Sequence, residues 1–300
     1  MRLIVYNPRG GAAIWNFRLR SALRVLQAGP MRTVVVPTEA ADMTGPIRRA
    51  LGANPGVTQI VACGGDGTVA ACAAALDGRN VPIGIVPTGT TNVLAFELGL
   101  PRSPTAAARL LDGPMHGTPF RTWSVNGNPM LLQLGVGFDG LLIWRTPRRV
   151  KRALGFFGVV VSALRTGVAF DYPEMRVAGV REDGSELVAV VTSVMVANAK
   201  RWAGPQIAVP TADPADDVCD LLLLTYRNFG QLAVFWLAIL FPGSPHLKLS
   251  FVKHERVTRA TITALGRPVE AHIDGEPLLK TPIAVEPLGR VTLLRPSSTA

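Results

Sequence analysis

The feature that most constrains this chain is a repeated pattern in its first hundred residues: a short apolar run, a loop rich in small residues, and a helical segment. The apolar runs are rich in Val and Ile and stop at Pro or Gly, which is typical of buried strands. The predicted strands are Arg2–Tyr6, Thr33–Val36, Gln59–Cys63 and Pro82–Val86. The predicted helices are Trp15–Gln27, Pro46–Leu51, Thr68–Leu76 and Asn92–Leu98. Alternating strands and helices predict an α/β fold with a parallel sheet covered on both faces.

The pattern changes near residues 115–121, where strand-like runs joined by turns replace the alternation. Asn126-Gly127 between two apolar runs, Thr122–Val125 and Met130–Gly135, predicts a hairpin. Further predicted strands are Met175–Val180, Leu187–Ala197, Leu221–Tyr226, Lys248–Val252, Val257–Ala264 and Val269–Ile273. Two helices are predicted, over about 150–166 and over 230–241. We therefore expect an α/β domain over 1–120 and a β-rich, sandwich-like domain over 121–285, with segment 286–300 a candidate to return to the first domain.

Composition favours a folded protein in a reducing compartment. Of the 300 residues, 48% are apolar and 17% charged, so the chain can bury a substantial core. The three cysteines are too few and too scattered for a disulfide framework or a zinc site; they are Cys63, Cys72 and Cys219. The longest apolar stretches, Leu154–Leu164 and Leu232–Phe241, are shorter than the roughly 18–20 residues that cross a bilayer.

The net charge of +10 has its densest point at Arg145–Arg152, which carries five cations and no anion. One interpretation is a solvated basic face, and the other is attraction to a polyanion. The apolar run Leu154–Val161 follows directly, and cations beside exposed apolar residues suit a membrane interface. Because the run lacks interleaved aromatic residues, a nucleic-acid partner is disfavoured. We expect transient contact with an anionic membrane surface.

The most specific motif is Gly64-Gly65-Asp66-Gly67-Thr68, between a predicted strand and a predicted helix. Glycines at this point let main-chain N–H groups approach a phosphate, and the helix N-terminus adds positive potential. Thr68 is a candidate cap for that helix. A carboxylate repels phosphate unless a cation intervenes, so we predict that Asp66 holds Mg²⁺. The alternative is an ordinary glycine-rich turn with a surface aspartate. The motif is neither a Walker A loop nor GxGxxG.

Similar loops follow the other predicted strands. The segment Pro87–Asn92 offers hydroxyl, amide and main-chain groups through Thr88, Gly89, Thr90 and Asn92. Asn7-Pro8-Arg9-Gly10-Gly11 follows the first strand, and Thr38 follows the second. Because the carboxyl ends of parallel strands meet at one edge of a sheet, all four loops are predicted to face one site.

The segment His272–Glu276 places two carboxylates around a glycine after a predicted strand. Asp-Gly is common in hairpin turns, so a plain turn is one interpretation. The other is a carboxylate that accepts the proton of an attacking hydroxyl, as phosphoryl transfer requires.

In their order, Asn7–Gly11, Gly64–Thr68, Pro87–Asn92, Gly137-Phe138-Asp139 and Asp274-Gly275-Glu276 resemble the diacylglycerol kinase catalytic family, over nearly the whole chain. The resemblance implies an ATP- and Mg²⁺-dependent lipid kinase, cytoplasmic and peripheral to the inner face of the membrane. It implies that ATP binds between the two domains, at Asn7, Pro8, Gly10, Gly11, Thr38, Gly64, Gly65, Asp66, Gly67, Thr68, Val69, Ala70 and Thr90. It also implies that Glu276, supported by Asp274, is the proton acceptor, and that a structural Mg²⁺ lies near Asp217.

Two other functions stay open at this point. A kinase of the same superfamily that acts on a soluble acceptor such as NAD would share the Gly64–Thr68 motif. A protein that binds nucleotide or lipid without catalysis is suggested by three departures from the family pattern, at Gly10, Ala203 and Val218. The sequence predicts neither the acceptor lipid nor the oligomeric state.

Overall fold

The chain forms two compact units in a computed structural model that describes residues 1–8, 13–39, 42–146 and 161–297. The first unit comprises Met1–Phe120 and the C-terminal stretch from Arg290, and the second comprises Arg121–Gly289. Within the described residues, no helix combines the length and the apolarity needed to cross a bilayer.

The first unit is built on a parallel sheet with strand order β15-β4-β3-β1-β2. Its strands are β1 (Arg2–Tyr6), β2 (Thr33–Pro37), β3 (Gln59–Gly64), β4 (Ile83–Pro87) and the C-terminal part of β15 (Ile283–Pro296). Its helices are α1 (Ala13–Ala28), α2 (Gly45–Ala53), α3 (Asp66–Ala75), α4 (Val93–Glu97) and α5 (Pro104–Leu110). Every residue of β3 and β4 is buried, because helices cover both faces of a parallel sheet. The predicted α/β class is confirmed.

A buried arginine fixes the amino end of this sheet. The Arg2 guanidinium is fully buried and donates to Gln59 Oε1 (2.5 Å) on β3 and to Leu111 O (2.9 Å) after α5. Its charge is balanced by Asp112 Oδ1 at 2.9 Å. Since a buried cation is tolerated only when it is paired and hydrogen-bonded, these contacts hold β1, β3 and the end of α5 together.

The second unit is largely antiparallel, with strand order β14-β13-β7-β10-β11-β12-β15 and with β8 pairing to both β12 and β9. The strands are β5 (Met115–Val125), which begins in the first unit, β6 (Asn128–Met130), β7 (Gln133–Val136), β8 (Met175–Arg181), β9 (Glu186–Val191), β10 (Ser193–Ala197), β11 (Cys219–Leu224), β12 (Val252–Ala264), β13 (Glu270–Ile273) and β14 (Glu276–Lys280). Asn126 and Gly127 take positive φ between β5 and β6, as the predicted hairpin requires.

Three helices belong to the second unit: α6 (Phe138–Arg145), α7 (161–168) and α8 (Phe229–Ala238). One core of this unit lies among the strands around Trp123, and the other is aromatic. In the aromatic core, Phe138 and Phe170 meet edge to face with ring centroids 5.6 Å apart, and Leu232 and Phe235 of α8 pack against them.

Three predicted strands differ from the structure. Of the predicted run Met130–Gly135, only Met130 pairs with β5, as the end of β6, and Gln133–Gly135 belong to β7, which pairs with β10 and β13. Leu187–Ala197 is two strands, because the Thr192 hydroxyl between them donates to the carbonyls of Leu224 (3.2 Å) and Tyr226 (2.8 Å). Lys248–Val252 is not a strand. Lys248 ends a 3-10 turn that spans Pro245–Lys248, and β12 begins only at Val252. Proline favours the first position of such a turn, and His246 within it is buried.

Helices α5 and α6 were not predicted from the sequence. Of the predicted helix over about 150–166, residues 161–166 lie in α7 and the earlier ones lie outside the described residues. Most of the basic run Arg145–Arg152 and nearly all of the following apolar run also lie outside them.

Candidate functional site

The carboxyl ends of β1 to β4 lie side by side at one edge of the parallel sheet. The last residues of adjacent strands are register partners: Tyr6 with Pro37, Tyr6 with Cys63, and Gly64 with Pro87. Asn7 and Pro8 follow β1 at this edge. Thr38 is buried after β2, where its N–H donates to Tyr6 O at 2.8 Å. Gly10 and Gly11, of the first predicted loop, lie outside the described residues. The described residues of the four predicted loops lie together at this edge of the sheet.

Helix α3 begins at Asp66, and Gly65 occupies its N-cap position. The prediction that Thr68 caps helix α3 is wrong. Thr68 lies in the first turn, is buried, and donates its main-chain N–H to Gly65 O at 2.9 Å. Val69 is buried in the core and Ala70 is half-buried, so these two residues can meet a ligand chiefly through their main chain. Gly67 is exposed, and a Cβ added there would meet nothing within 4 Å.

The loops after β3 and β4 touch each other through glycines. A Cβ on Gly89 would lie 2.6 Å from the Cα of Gly65, and a Cβ on Gly65 would lie 3.3 Å from the Cα of Gly89, so the contact excludes a side chain at Gly89 and leaves little room for one at Gly65. Thr88 is buried and donates its N–H to Gly64 O at 3.0 Å. Asn92, with φ +47°, binds the main chain of Gly89: its Oδ1 accepts the Gly89 N–H (2.9 Å) and its Nδ2 donates to the Gly89 carbonyl (2.8 Å). Thr90 is exposed at the tip.

Asp66 joins these two loops through both carboxylate oxygens. Oδ1 accepts the N–H of Leu94 (2.9 Å), and Oδ2 accepts the N–H of Val93 (3.0 Å) and the hydroxyl of Thr91 (3.5 Å). These N–H groups open helix α4, where a carboxylate is stabilised. Burial raises the pKa of the Asp66 carboxyl, and the N–H donors of Leu94 and Val93 oppose that rise. The sequence did not predict this structural role.

A cavity of about 230 Å³ adjoins the second loop in the first unit. Its lining includes Thr90, Thr91 and Asn92, together with Phe96 and Arg102. The Arg102 guanidinium lies 4.8 Å from the centre of the Phe96 ring, a cation–π contact that holds the cation at the rim. Arg102 follows no motif, so no signal in the sequence identified it as a site residue.

In the second unit, Asp274 and Glu276 flank Gly275 in the turn between β13 and β14. Asp274 takes φ +49° and Gly275 φ +82°. The Asp274 carboxylate accepts three main-chain N–H groups, each at 2.8 Å, from Leu131, Leu132 and Gln133. Glu276 is exposed at the start of β14. Asp274 is therefore an anchor of the turn, and Glu276 is the carboxylate that the turn presents.

A buried His–Asp pair supports the same turn. His272 Nδ1 accepts the Gly275 N–H at 3.2 Å, so the ring proton lies on Nε2, which donates to Asp139 Oδ2 at 2.9 Å. Trp202 Nε1 donates to that oxygen at 3.1 Å. Gly135 makes room for the pair, since a Cβ there would lie 2.5 Å from both Asp139 Oδ2 and His272 Nε2. Asp139 belongs to the motif Gly137-Phe138-Asp139, but its pairing with His272 was not predicted.

The structure does not assemble a metal site around Asp217. Its carboxylate forms an ion pair with Arg121. The neighbouring carboxylates are also paired: Asp216 with Arg256 at 2.5 Å and Asp220 with His254 at 2.6 Å. In the described parts of the chain, no three His, Cys, Asp or Glu side chains are grouped to hold a metal ion. The residues present do not fit the structural Mg²⁺ that the resemblance implied.

We expect His272→Ala to destabilise the second unit by about 2–3 kcal/mol, because Asp139 and the Gly275 N–H each lose a buried hydrogen-bond partner. The free energy of unfolding measured in urea, together with the exchange rate of the Gly275 amide, checks this. His116→Ala, at an exposed histidine, is the matched control. Unchanged stability and unchanged Gly275 exchange in His272→Ala would show that the pair does not support the turn.

Comparison with known proteins gives consistent matches. The diacylglycerol kinase catalytic domain matches residues 2–118. A diacylglycerol kinase of Bacillus subtilis is 26% identical over 279 residues, covering 91% of this chain and 88% of the relative. A protein of Serratia proteamaculans named probable lipid kinase YegS-like is 30% identical over 232 residues, covering 74% and 72%.

A similar fold is found in a crystal structure of a diacylglycerol kinase from Bacillus anthracis. The two chains superpose with a TM-score of 0.72 at 20% identity, covering 100% of this chain and 98% of the other.

Proposed function

The chain belongs to the diacylglycerol kinase catalytic family and is a lipid kinase, and we propose that it transfers the γ-phosphoryl group of ATP, with Mg²⁺, to the hydroxyl of a diacylglycerol-like lipid. The observation that carries the proposal is the locked pair of loops, Gly64–Thr68 and Thr88–Asn92, at the carboxyl edge of the parallel sheet. Ligands of open α/β folds bind at such an edge.

ATP phosphates would be held by main-chain N–H groups of the two loops and by the N-terminus of α3. The open space over Gly67 leaves room for a phosphate to approach the main chain. The loops carry no lysine of the Walker A kind, so main-chain N–H groups, Mg²⁺ and a cation from outside the loops would neutralise the phosphates. Arg102, in the cavity beside Thr90 and Thr91, is our candidate.

Asp66 fits a role beside a magnesium ion. Its carboxylate has about four lone-pair positions, of which three accept the donors of Thr91, Val93 and Leu94. The main-chain N–H of Asp66 itself is a further donor to this carboxylate, so contact with the ion would pass through one of its waters, which agrees with the few protein ligands that Mg²⁺ takes beside phosphates. When bound, the ion would neutralise charge on the transferring phosphoryl group.

Glu276 is our candidate for the group that takes the proton of the acceptor hydroxyl. The hydroxyl oxygen forms a bond to the γ-phosphorus, the bond from that phosphorus to the β–γ bridging oxygen breaks, ADP leaves, and the proton passes to the Glu276 carboxylate. Two observations support this role: Glu276 is exposed, and its turn is anchored by Asp274 and His272. Asp274 would act by positioning, since its oxygens accept main-chain N–H groups.

A lipid acceptor also supports a place for the chain at the cytoplasmic face of a membrane, in transient contact with anionic lipid. The net charge of +10 favours such contact.

Transfer of labelled γ-phosphate from ATP into a total lipid extract, in detergent micelles with Mg²⁺, tests the proposal. We expect one labelled lipid from the unaltered chain and about 10²–10⁴-fold less from Glu276→Gln, because the hydroxyl loses its proton acceptor. Glu286→Gln, at an exposed glutamate of the same unit, is the control and should retain full activity. Label in added NAD but not in lipid would contradict the lipid acceptor, and full activity of Glu276→Gln would contradict the assigned role.

Gly67→Ala tests the phosphate site. A methyl group there meets no protein atom and alanine favours a helix, so thermal stability should not fall, while ATP should bind at least about tenfold more weakly if phosphate occupies that space. Gly52→Ala, in helix α2 and equally open, is the matched control: its thermal stability should not fall either, and its affinity for ATP should be unchanged. Calorimetric titration with ATP and Mg²⁺ measures the affinities. Equal affinity in Gly67→Ala would place the phosphates elsewhere.

A further inference from the structure

Helix α8 is apolar on the face that it buries and on the face that it exposes. Its inner side packs Leu232, Phe235 and the following Ile239 into the aromatic core. Its outer side leaves large apolar side chains in solvent: Val234 is 47% exposed, Leu237 58% and Phe241 64%. These three lie three and four residues apart and so share one side of the helix and its C-terminal extension. Part of the apolar surface of this helix is therefore not used inside the protein.

An apolar groove of about 760 Å³ continues this surface beyond the end of α8. It lies between the segments 205–210 and 239–248, and its lining includes Ile207 (38% exposed) and Leu240 (43% exposed). On the other flank, Phe229 (37% exposed) packs on Gly167 of α7, where Leu164 and Val168 are exposed. Exposed apolar groups therefore extend along both ends of α8, which is more than scattered surface residues account for.

Neither the stretch that carries α8 nor the lining of the groove contains an acidic residue. From Asn228 to Leu247 the sequence has no Asp, Glu, Lys or Arg, and cations close the stretch at each end, Arg227 and Lys248. Lys248 is exposed at the groove, whose lining includes no acidic residue. Exposed Lys200 is close by, because its carbonyl accepts the N–H of Ala208 (2.8 Å), next to the lining residue Ile207. An uncharged apolar face with cations at its edges matches an anionic bilayer, where apolar groups enter the acyl boundary and cations meet phosphates.

We propose that the outer face of α8 and its adjoining groove are a docking surface for an anionic lipid bilayer. Leu237, Leu240 and Phe241 enter the interface, and Arg227 and Lys248 contact lipid phosphates. The inference rests on the proposed lipid acceptor, since an enzyme that takes its acceptor from a bilayer gains from binding the surface. The residues of this docking surface are distinct from the basic run Arg145–Arg152.

Co-sedimentation with vesicles tests the apolar part. The unaltered chain should bind vesicles of phosphatidylcholine with phosphatidylglycerol, and Leu237→Ser/Phe241→Ser should bind at least about tenfold more weakly. Val188→Ser/Val190→Ser is the matched control, because these residues of β9 are 57% and 51% exposed in the same unit, and it should bind normally. Undiminished binding of the α8 variant would overturn the proposal.

The charge part is tested with Arg227→Glu/Lys248→Glu, against Arg176→Glu at an exposed residue of β8. The double variant should lose affinity for phosphatidylglycerol vesicles, and the affinity that remains should depend less on salt. If the double variant binds these vesicles as well as the unaltered chain, the cations are not membrane contacts.

Two further measurements distinguish membrane docking from a failure of the proposed kinase function and from self-association of the chain. Phosphoryl transfer in detergent micelles should be retained in Leu237→Ser/Phe241→Ser. A variant that loses vesicle binding but keeps this transfer supports docking. Absence of transfer in the unaltered chain would refute the proposed kinase function but not the binding of vesicles. Sedimentation velocity identifies self-association. A dimer of the unaltered chain that dissociates in the α8 variant, with no vesicle binding by either, would overturn the proposal in favour of a second copy of the chain.

Discussion

The carboxylate of Asp66 is the interaction on which the first unit's site depends. From the first residue of α3, it accepts main-chain N–H groups at the start of α4 and so joins the loops after β3 and β4. The two loops are also in direct main-chain contact at Gly65 and Gly89. Two loops held in this way keep their remaining N–H groups in one orientation, and such preorganisation lowers the cost of binding a phosphate chain.

The second unit uses the same device for a different purpose. Asp274 gives its carboxylate to three main-chain N–H groups, and the His272–Asp139 pair holds Gly275. Glu276, two residues on, is left at the surface. The two carboxylates of this turn thus differ in their surroundings: that of Asp274 is held by main-chain donors, whereas that of Glu276 is exposed. At Asp217 the structure shows an ion pair with Arg121 and, among the described residues, no group of side chains that could hold a metal.

Sequence predicted what local patterns encode. Four of the five strands of the parallel sheet were found because buried strands are continuous apolar runs that end at glycine or proline, and the fifth, in β15, was not predicted. The short Ala-rich α5 and the helix α6 were missed, since seven or eight residues give too little periodicity. The partners of Asp66 lie 27 and 28 residues away, and Asp139 lies 133 residues from His272. Contacts at such separations depend on tertiary packing, which no local pattern reports.

Hydrogen exchange of the main-chain amides, with and without a non-hydrolysable ATP analogue and Mg²⁺, tests the central claim most directly. If the locked loops bind the phosphates, the analogue should slow exchange in peptides covering 64–70 and 88–92 and leave helix α2, Gly45–Ala53, unchanged. Slower exchange elsewhere, with these two loops unaffected while the analogue is demonstrably bound, would contradict the account.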